Sequence, residues 1–238
     1  MLGFLLAPMA GLGAHGVDWR QAVLSQQDWV AIAVSLLGGA AAMVVVILAG
    51  TPLAFYLARA RSGPVLLAEA VVLIPMLTPT LALGILLAVT YGPAAPLGRA
   101  FAAIGVVLTN TPAAFLLATV YAALPTYVIA ARGALAQVSP EYEALARTLG
   151  DTPLRARLRV TLPLARRGLA AALALAWARA LGEFGIVLII AYYPAGMPVQ
   201  LWTDVQDLGL QAVFPLVAIF LLVTLPAPLW LSLRARQP

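Results

Sequence analysis

The sequence predicts an all-α integral membrane protein, and three observations carry that reading. Of 238 residues, 63% are hydrophobic and only 10% are charged, where a soluble domain carries about 25% charged residues; mean hydropathy is +0.99. The apolar residues gather into runs longer than the roughly twenty needed to cross a bilayer as a helix. The arginines collect almost entirely in alternate gaps between those runs. No long-period repeat, low-complexity linker or second domain interrupts the pattern, so residues 1–238 read as one membrane bundle.

Taken in order, residues 1–14, MLGFLLAPMAGLGA, are apolar but short and contain Pro8. They read either as the end of a further, sixth span or as an interfacial segment, and they lack the basic n-region and small-residue cleavage site of a signal peptide. His15, the only histidine, reads as a loop residue, and one histidine cannot build a multi-histidine metal site. The first of five predicted transmembrane helices runs from about Val30 to Ala58, with Gly38, Gly39 and Ala40 to Ala42 as a small-residue packing face and a kink expected at Thr51-Pro52. Arg59, Arg61 and the Gly63-Pro64 turn follow. The second spans about Val65 to Tyr91 and contains Pro75, Thr78, Pro79 and Thr80; prolines here free carbonyls that hydroxyls, neighbouring helices or pathway water must satisfy. The third spans about Ala103 to Leu124, with Thr109 and Asn110 near its start. Asn110 reads equally as interhelical glue or as part of a polar path. A polar segment from Pro125 to Arg167 follows. The fourth span covers about Gly168 to Tyr192, the loop 193–209 carries Asp204 and Asp207, and the fifth span covers about Leu210 to Leu233.

All fourteen basic residues are arginine. A Walker A loop reaches the nucleotide phosphates with a lysine, so this chain is not a conventional P-loop ATPase. Arg59, Arg61, Arg132, Arg147, Arg155, Arg157, Arg159, Arg166, Arg167, Arg234 and Arg236 fall on one side of the membrane and Arg20 and Arg99 on the other. The excess of positive charge marks the cytoplasmic side, which places the 125–167 segment and the C-terminus there. It also explains the net charge of +5 without nucleic acid. The absence of cysteine excludes disulfides and thiolate metal sites.

Within the polar segment, Ser139 to Pro163 reads as two short helices joined at a glycine. Ser139 caps the first with Pro140 at its first position, and Gly150 ends it in a left-handed turn. Thr152-Pro153 repeats the start signal, and Pro163 is expected to stop the second helix. Leu145 and Leu149 share a face, as do Leu154 and Leu158, a shape suited to a socket on another protein. Inside the fourth predicted span, Arg179 and Glu183 lie four residues apart on one helical face. A charge at the bilayer centre costs about 3 kcal/mol on insertion scales, so the pair is expected to face the bundle interior, a dimer interface or a watery cavity, either as a gate or pathway element or as a structural ion pair.

These two places carry a resemblance. The segment Gly150, nine residues, then Val160-Thr161-Leu162-Pro163 resembles the second half of the E-A-A-x3-G-x9-I-x-L-P motif in the cytoplasmic loop of ABC importer permeases. The first half departs: Ala144 holds the Glu slot, Leu145 and Ala146 hold the Ala slots, and Glu143 lies one residue early. ARALGEFG and LIPMLTPTLALGILLAVTYGPAAPLGR are similar to the oxyanion branch of these permeases, most like molybdate/tungstate permeases, over roughly residues 30–235. The resemblance implies a type I importer permease in the plasma (inner) membrane, with two permease copies in a homodimer, two separate ATPase subunits and an extracytoplasmic solute-binding protein. It implies no cofactor and no catalytic residue in this chain. It assigns ATPase coupling to Glu141, Glu143, Ala146, Gly150, Asp151, Leu162 and Pro163, and a path or gate to Thr78, Thr80, Asn110, Arg179 and Glu183. A permease for sulfate or another solute is the neighbouring alternative. A non-transporting membrane assembly protein would leave the glycine-to-proline spacing unexplained. An intramembrane protease would need a Ser-His pair or paired aspartates at membrane depth, and the predicted spans hold neither.

Overall fold

The computed structural model describes residues 24–60, 63–226 and 228. Residues 1–14, His15, Arg20, Arg61, Arg234 and Arg236, on which expectations above rest, lie outside the described residues. Within them every regular element is helical. They are α1 (Gln26–Arg59), α2 (Gly63–Leu77), α3 (Thr80–Tyr91), α4 (Pro96–Ala103), α5 (Pro112–Ala136), α6 (Pro140–Thr148), α7 (Pro153–Ala156), a π-helical turn (Arg157–Thr161), α8 (Leu162–Leu181), α9 (Gly185–Ile190), α10 (Met197–Leu208) and α11 (Phe214–Thr224).

Among the described residues two helices, α1 and α5, are long and apolar enough to cross a membrane, and α2 with α3 form a third such unit bent by 111°. A capping box starts α1: Ser25 Oγ accepts the Asp28 amide at 3.1 Å and Asp28 Oδ2 accepts the Ser25 amide at 2.7 Å. The helix then runs through Pro52 for 34 residues. Thr111 caps α5, its Oγ1 accepting from the Ala114 amide at 3.2 Å.

The core forms where α5 packs between α1 and α8. Ala42, Val46 and Ala54 meet Ala123, Tyr127, Val128, Ala131 and Leu135, with Ala172, Ala176 and Ala180 closing the third side. Small residues let these backbones approach closely; a Cβ at Gly50 would lie 2.7 Å from the Tyr127 ring. A second cluster joins Leu83 and Leu87 of α3, Phe115, Ala118 and Ala122 of α5, and Ile186, Val187 and Ile190 of α9. Leu48, Leu66, Leu67 and Leu77 point outward and are exposed, as suits a protein whose surroundings are lipid.

Five sequence expectations are corrected, the first being that the second predicted span (65–91) is broken at 78–79 and bent by 111°. The third predicted span (103–124) is displaced: α5 begins at Pro112 and passes through Pro125 to Ala136. Ala123, Tyr127, Ala131 and Leu135, all buried on one stripe, hold that helix against the core past the missing proline N–H. Pro163 does not stop the second hairpin helix. The backbone widens through the π turn, where the Leu162 amide reaches back five residues to the Arg157 carbonyl, and continues as α8 with Pro163 in its first turn, a place where a proline is tolerated. The fourth predicted span (168–192) is interrupted at Gly182–Phe184 between α8 and α9. The loop after it holds a helix, α10.

Candidate functional site

The first candidate site is the polar hairpin. Ser139 Oγ accepts the Glu141 amide at 3.3 Å, Pro140 takes the first helical position, and Thr152 Oγ1 accepts the Arg155 amide at 3.3 Å. Between the two helices Gly150 adopts φ +99°, the left-handed region that glycine enters without strain. Its neighbouring amides close the turn onto α6, Gly150 N to the Arg147 carbonyl and Asp151 N to the Ala146 carbonyl, both at 3.1 Å. The hairpin presents Tyr142, Leu145, Leu149, Leu154 and Leu158 to the exterior, and α6 buries no residue. Glu141 is exposed, whereas Glu143 is half-buried. Glu143 Oε1 accepts from Arg59 Nη2 at 2.9 Å and from Thr161 Oγ1 at 2.7 Å. Asp151 pairs with Arg159 at 3.4 Å. Leu162 and Pro163 lie at the start of α8, beyond the π turn.

The second candidate site is the α8–α9 break. Arg179 Nη1 donates to Glu183 Oε2 at 2.6 Å. The Glu183 side chain is fully enclosed and Arg179 is about one-third exposed (35%). Glu183 Oε1 also accepts the Ile186 amide at 2.8 Å, so one carboxylate closes the ion pair and satisfies an orphan donor at the start of α9. Thr80 lies against the same break: a Cβ at Gly185 would overlap Thr80 Oγ1 and the Leu81 amide. Asn110, at φ +51°, holds the other end of α9, its amide donating to the Ile190 carbonyl at 2.8 Å and its Oδ1 accepting the Tyr193 amide at 3.4 Å. The structure thus gathers Arg179, Glu183, Thr80 and Asn110 around the short buried helix α9. Thr78 stands at the α2–α3 bend and donates to the Ile74 carbonyl at 2.8 Å.

A third polar group was not singled out from the sequence. Asp28, Gln200 and Asp204 are buried together where α10 packs on the start of α1, and Gln200 Nε2 donates to Asp204 Oδ1 at 2.8 Å. Burial pushes the Asp204 carboxyl above its ordinary value and the Asp28 charge adds to that, while the Gln200 hydrogen bond opposes it. A cleft of about 720 Å³ opens beside them, lined by Ser25, Gln26, Tyr192, Gln200 and Thr203 among others. The signal was the Gln200–Asp204 spacing of four, legible only once 193–209 is read as holding a helix.

The family described as the binding-protein-dependent transport system inner membrane component matches residues 50–233. The chain belongs to this family. It is 36% identical over 206 residues to a probable molybdenum ABC transporter permease protein of Haloferax volcanii, covering 86% of this chain and 74% of that one. It is 32% identical over 243 residues to the molybdenum transport system permease protein of Mycobacterium tuberculosis, covering 99% and 90%. A molybdate/tungstate transport system permease protein of Thermococcus kodakarensis is 31% identical, over 82% and 74%. Among solved structures, a chain of a bacterial alginate ABC transporter crystallised with an alginate-bound periplasmic protein superposes with a TM-score of 0.78 at 17% identity, covering 99% and 89%; at that identity the likeness is one of fold.

Proposed function

We propose that this chain is the membrane-spanning permease of an ATP-driven importer for molybdate or tungstate. The observation that carries the reading is the likeness, at 31–36% identity over most of the chain, to proteins named for molybdenum, molybdate or tungstate transport. In this reading one permease domain crosses the bilayer five times, through α1, the bent pair α2–α3, α5, the broken α8–α9 and α11. A second copy completes the path in a homodimer, and an extracytoplasmic binding protein delivers the oxyanion. ATP is bound and hydrolysed by separate subunits, consistent with a chain that contains no lysine.

The 139–163 hairpin is the docking element for those subunits, and its exposed leucines support the assignment. In a soluble environment so many large apolar side chains on a short hairpin would be costly; against a partner's groove they are anchors. Alternating access then follows from the two hairpins moving together as the ATPases close. Thr80, Asn110, Arg179 and Glu183 surround a helix break, the kind of irregular backbone that membrane proteins tolerate where it is buried or lines a cavity, and this supports a gating role. Glu183 offsets much of the Arg179 charge, so specificity rests with the binding protein.

The test is reconstitution of this permease with its ATPase and binding protein in liposomes, with ATP-driven uptake of tungstate, molybdate and sulfate measured in competition. Tungstate or molybdate uptake that resists excess sulfate is expected. Uptake of sulfate alone would move the substrate, and an assembled, active complex that carries none of the three would overturn the oxyanion reading.

A further inference from the structure

What fixes the first helix of the hairpin against the bundle is a polar joint, whereas the second arm also packs, with Ala156 fully buried. Helix α6 buries no residue, so apolar packing does not set its position. Glu143 does. Its Oε1 receives Nη2 of Arg59, the last residue of α1, at 2.9 Å and the hydroxyl of Thr161, in the π turn that leads into α8, at 2.7 Å. Arg59 also donates Nη1 to the Val138 carbonyl, just past α5, at 3.0 Å. Thr161 is wholly buried, and the Arg59 and Glu143 side chains are only 17% and 16% exposed. One carboxylate oxygen therefore joins α6 to the end of α1 and, across the hairpin, to the π turn that runs on into α8, and its arginine partner reaches the residue just past α5. A second link lies alongside, with the Arg157 guanidinium 5.8 Å from the centre of the Phe55 ring of α1. Hydrogen bonds of this kind are directional and charge-assisted, so they set an orientation that a loose apolar contact would not.

We propose that Glu143 is a positioning residue, and that the Arg59–Glu143–Thr161 joint delivers displacement of the hairpin to α1 and α8. The proposal rests on the reading of the hairpin as the ATPase docking element and deepens it. Nη1 and Nη2 of Arg59 both donate within the chain, its Nε is buried without a partner among the described residues, and Glu143 Oε1 is enclosed between two donors. Glu143 therefore acts on the path through its neighbours rather than by gripping the motor.

The reconstituted permease–ATPase–binding-protein complex tests this through the ratio of solute imported to ATP hydrolysed. Glu143→Ala and Arg59→Gln are expected to keep wild-type co-purification of the ATPase and to lower that ratio about tenfold, the scale of a typical coupling between sites. Thr161→Val, which removes one hydroxyl and keeps the side-chain shape, is expected to lower it to a lesser degree. The Arg59→Gln/Glu143→Ala double variant should be no worse than the worse single, since all act on one joint. Loss of ATPase co-purification in Glu143→Ala, with Arg59→Gln assembling normally, would overturn the proposal in favour of direct contact with the motor. A normal transport ratio in Thr161→Val and in whichever other single variants assemble would overturn it as well, and Thr161→Val keeps that outcome readable where a larger change prevents folding. If the unmodified permease itself failed to co-purify with an ATPase, the docking reading would fall instead.

Discussion

Gly150 isolates a backbone requirement from packing. A Cβ built there meets nothing within 4 Å, yet φ is +99°. Any penalty of substitution is therefore conformational and not steric crowding by neighbours. Moving an L-residue into left-handed space costs roughly 1–2 kcal/mol, more for a β-branched side chain, and a short exposed hairpin has little packing to offset it. Gly150→Val should relax the turn, reduce ATPase co-purification and lower uptake, while Gly150→Asn should be milder because asparagine enters left-handed conformations more readily. Co-purification and transport measured for both variants check this; wild-type behaviour in Gly150→Val would remove the turn from the docking element. This residue was legible in the sequence because the signals around it are local: a capping serine, a proline at each helix start and a glycine between them. The joint on Glu143 was not legible, since Arg59 lies 84 positions away and no periodicity links the two.

At the scale of an element, α9 is six residues long, too short to be stable alone. It persists because its ends are held. Glu183 accepts the Ile186 amide at one end and Asn110 takes the Ile190 carbonyl at the other, while Gly185 allows Thr80 and Leu81 to close over its first turn. The spacing of Arg179 and Glu183 announces an ion pair but not this second duty, so charge arithmetic alone would make Arg179→Leu/Glu183→Leu nearly harmless. The carboxylate's second bond argues otherwise. The double variant still leaves the Ile186 amide buried without an acceptor, which costs about 1–3 kcal/mol. Glu183→Gln keeps a carbonyl for that amide and should be milder than Glu183→Leu. Thermal unfolding in detergent should therefore rank Glu183→Gln above Glu183→Leu, because both strand Arg179 but only the first keeps an acceptor for the Ile186 amide, and the double variant should remain below the unmodified protein. A double variant as stable as the unmodified protein would reduce Glu183 to a counter-charge. The breaks at 78–79 and 182–184 were hidden for a related reason: prolines and glycines in an apolar run look alike whether they bend a helix slightly or turn it through 111°. Pro125 misled in the other direction, because its helix is held by the buried stripe from Ala123 to Leu135 on either side of it.

Across the whole molecule, α1 sets the frame. Its 34 residues at about 1.5 Å each give roughly 50 Å, against a hydrocarbon core of about 30 Å, so both ends stand clear of the apolar slab. The Ser25 end borders the cleft with Gln200 and Thr203. The Arg59 end carries the hairpin through Glu143. In the proposed five-crossing arrangement these two surfaces would lie on opposite sides of the bilayer, with the hairpin on the cytoplasmic side that the arginine asymmetry predicts. A chain without cysteine allows a direct check, since any single introduced thiol reports alone. Gln27→Cys, exposed in the first turn of α1, should react with a membrane-impermeant maleimide in intact cells. Leu149→Cys, 82% exposed at the hairpin tip, should react only in inverted vesicles, in cells that express the permease without its ATPase so that the tip stays uncovered. Labelling of Leu149→Cys from outside would invert the orientation and leave the hairpin unable to meet a cytoplasmic motor. Labelling of both positions from one side would break the assignment of α1 as a complete crossing, and with it the placement of the proposed docking hairpin and the cleft beside Ser25 at opposite ends of one helix.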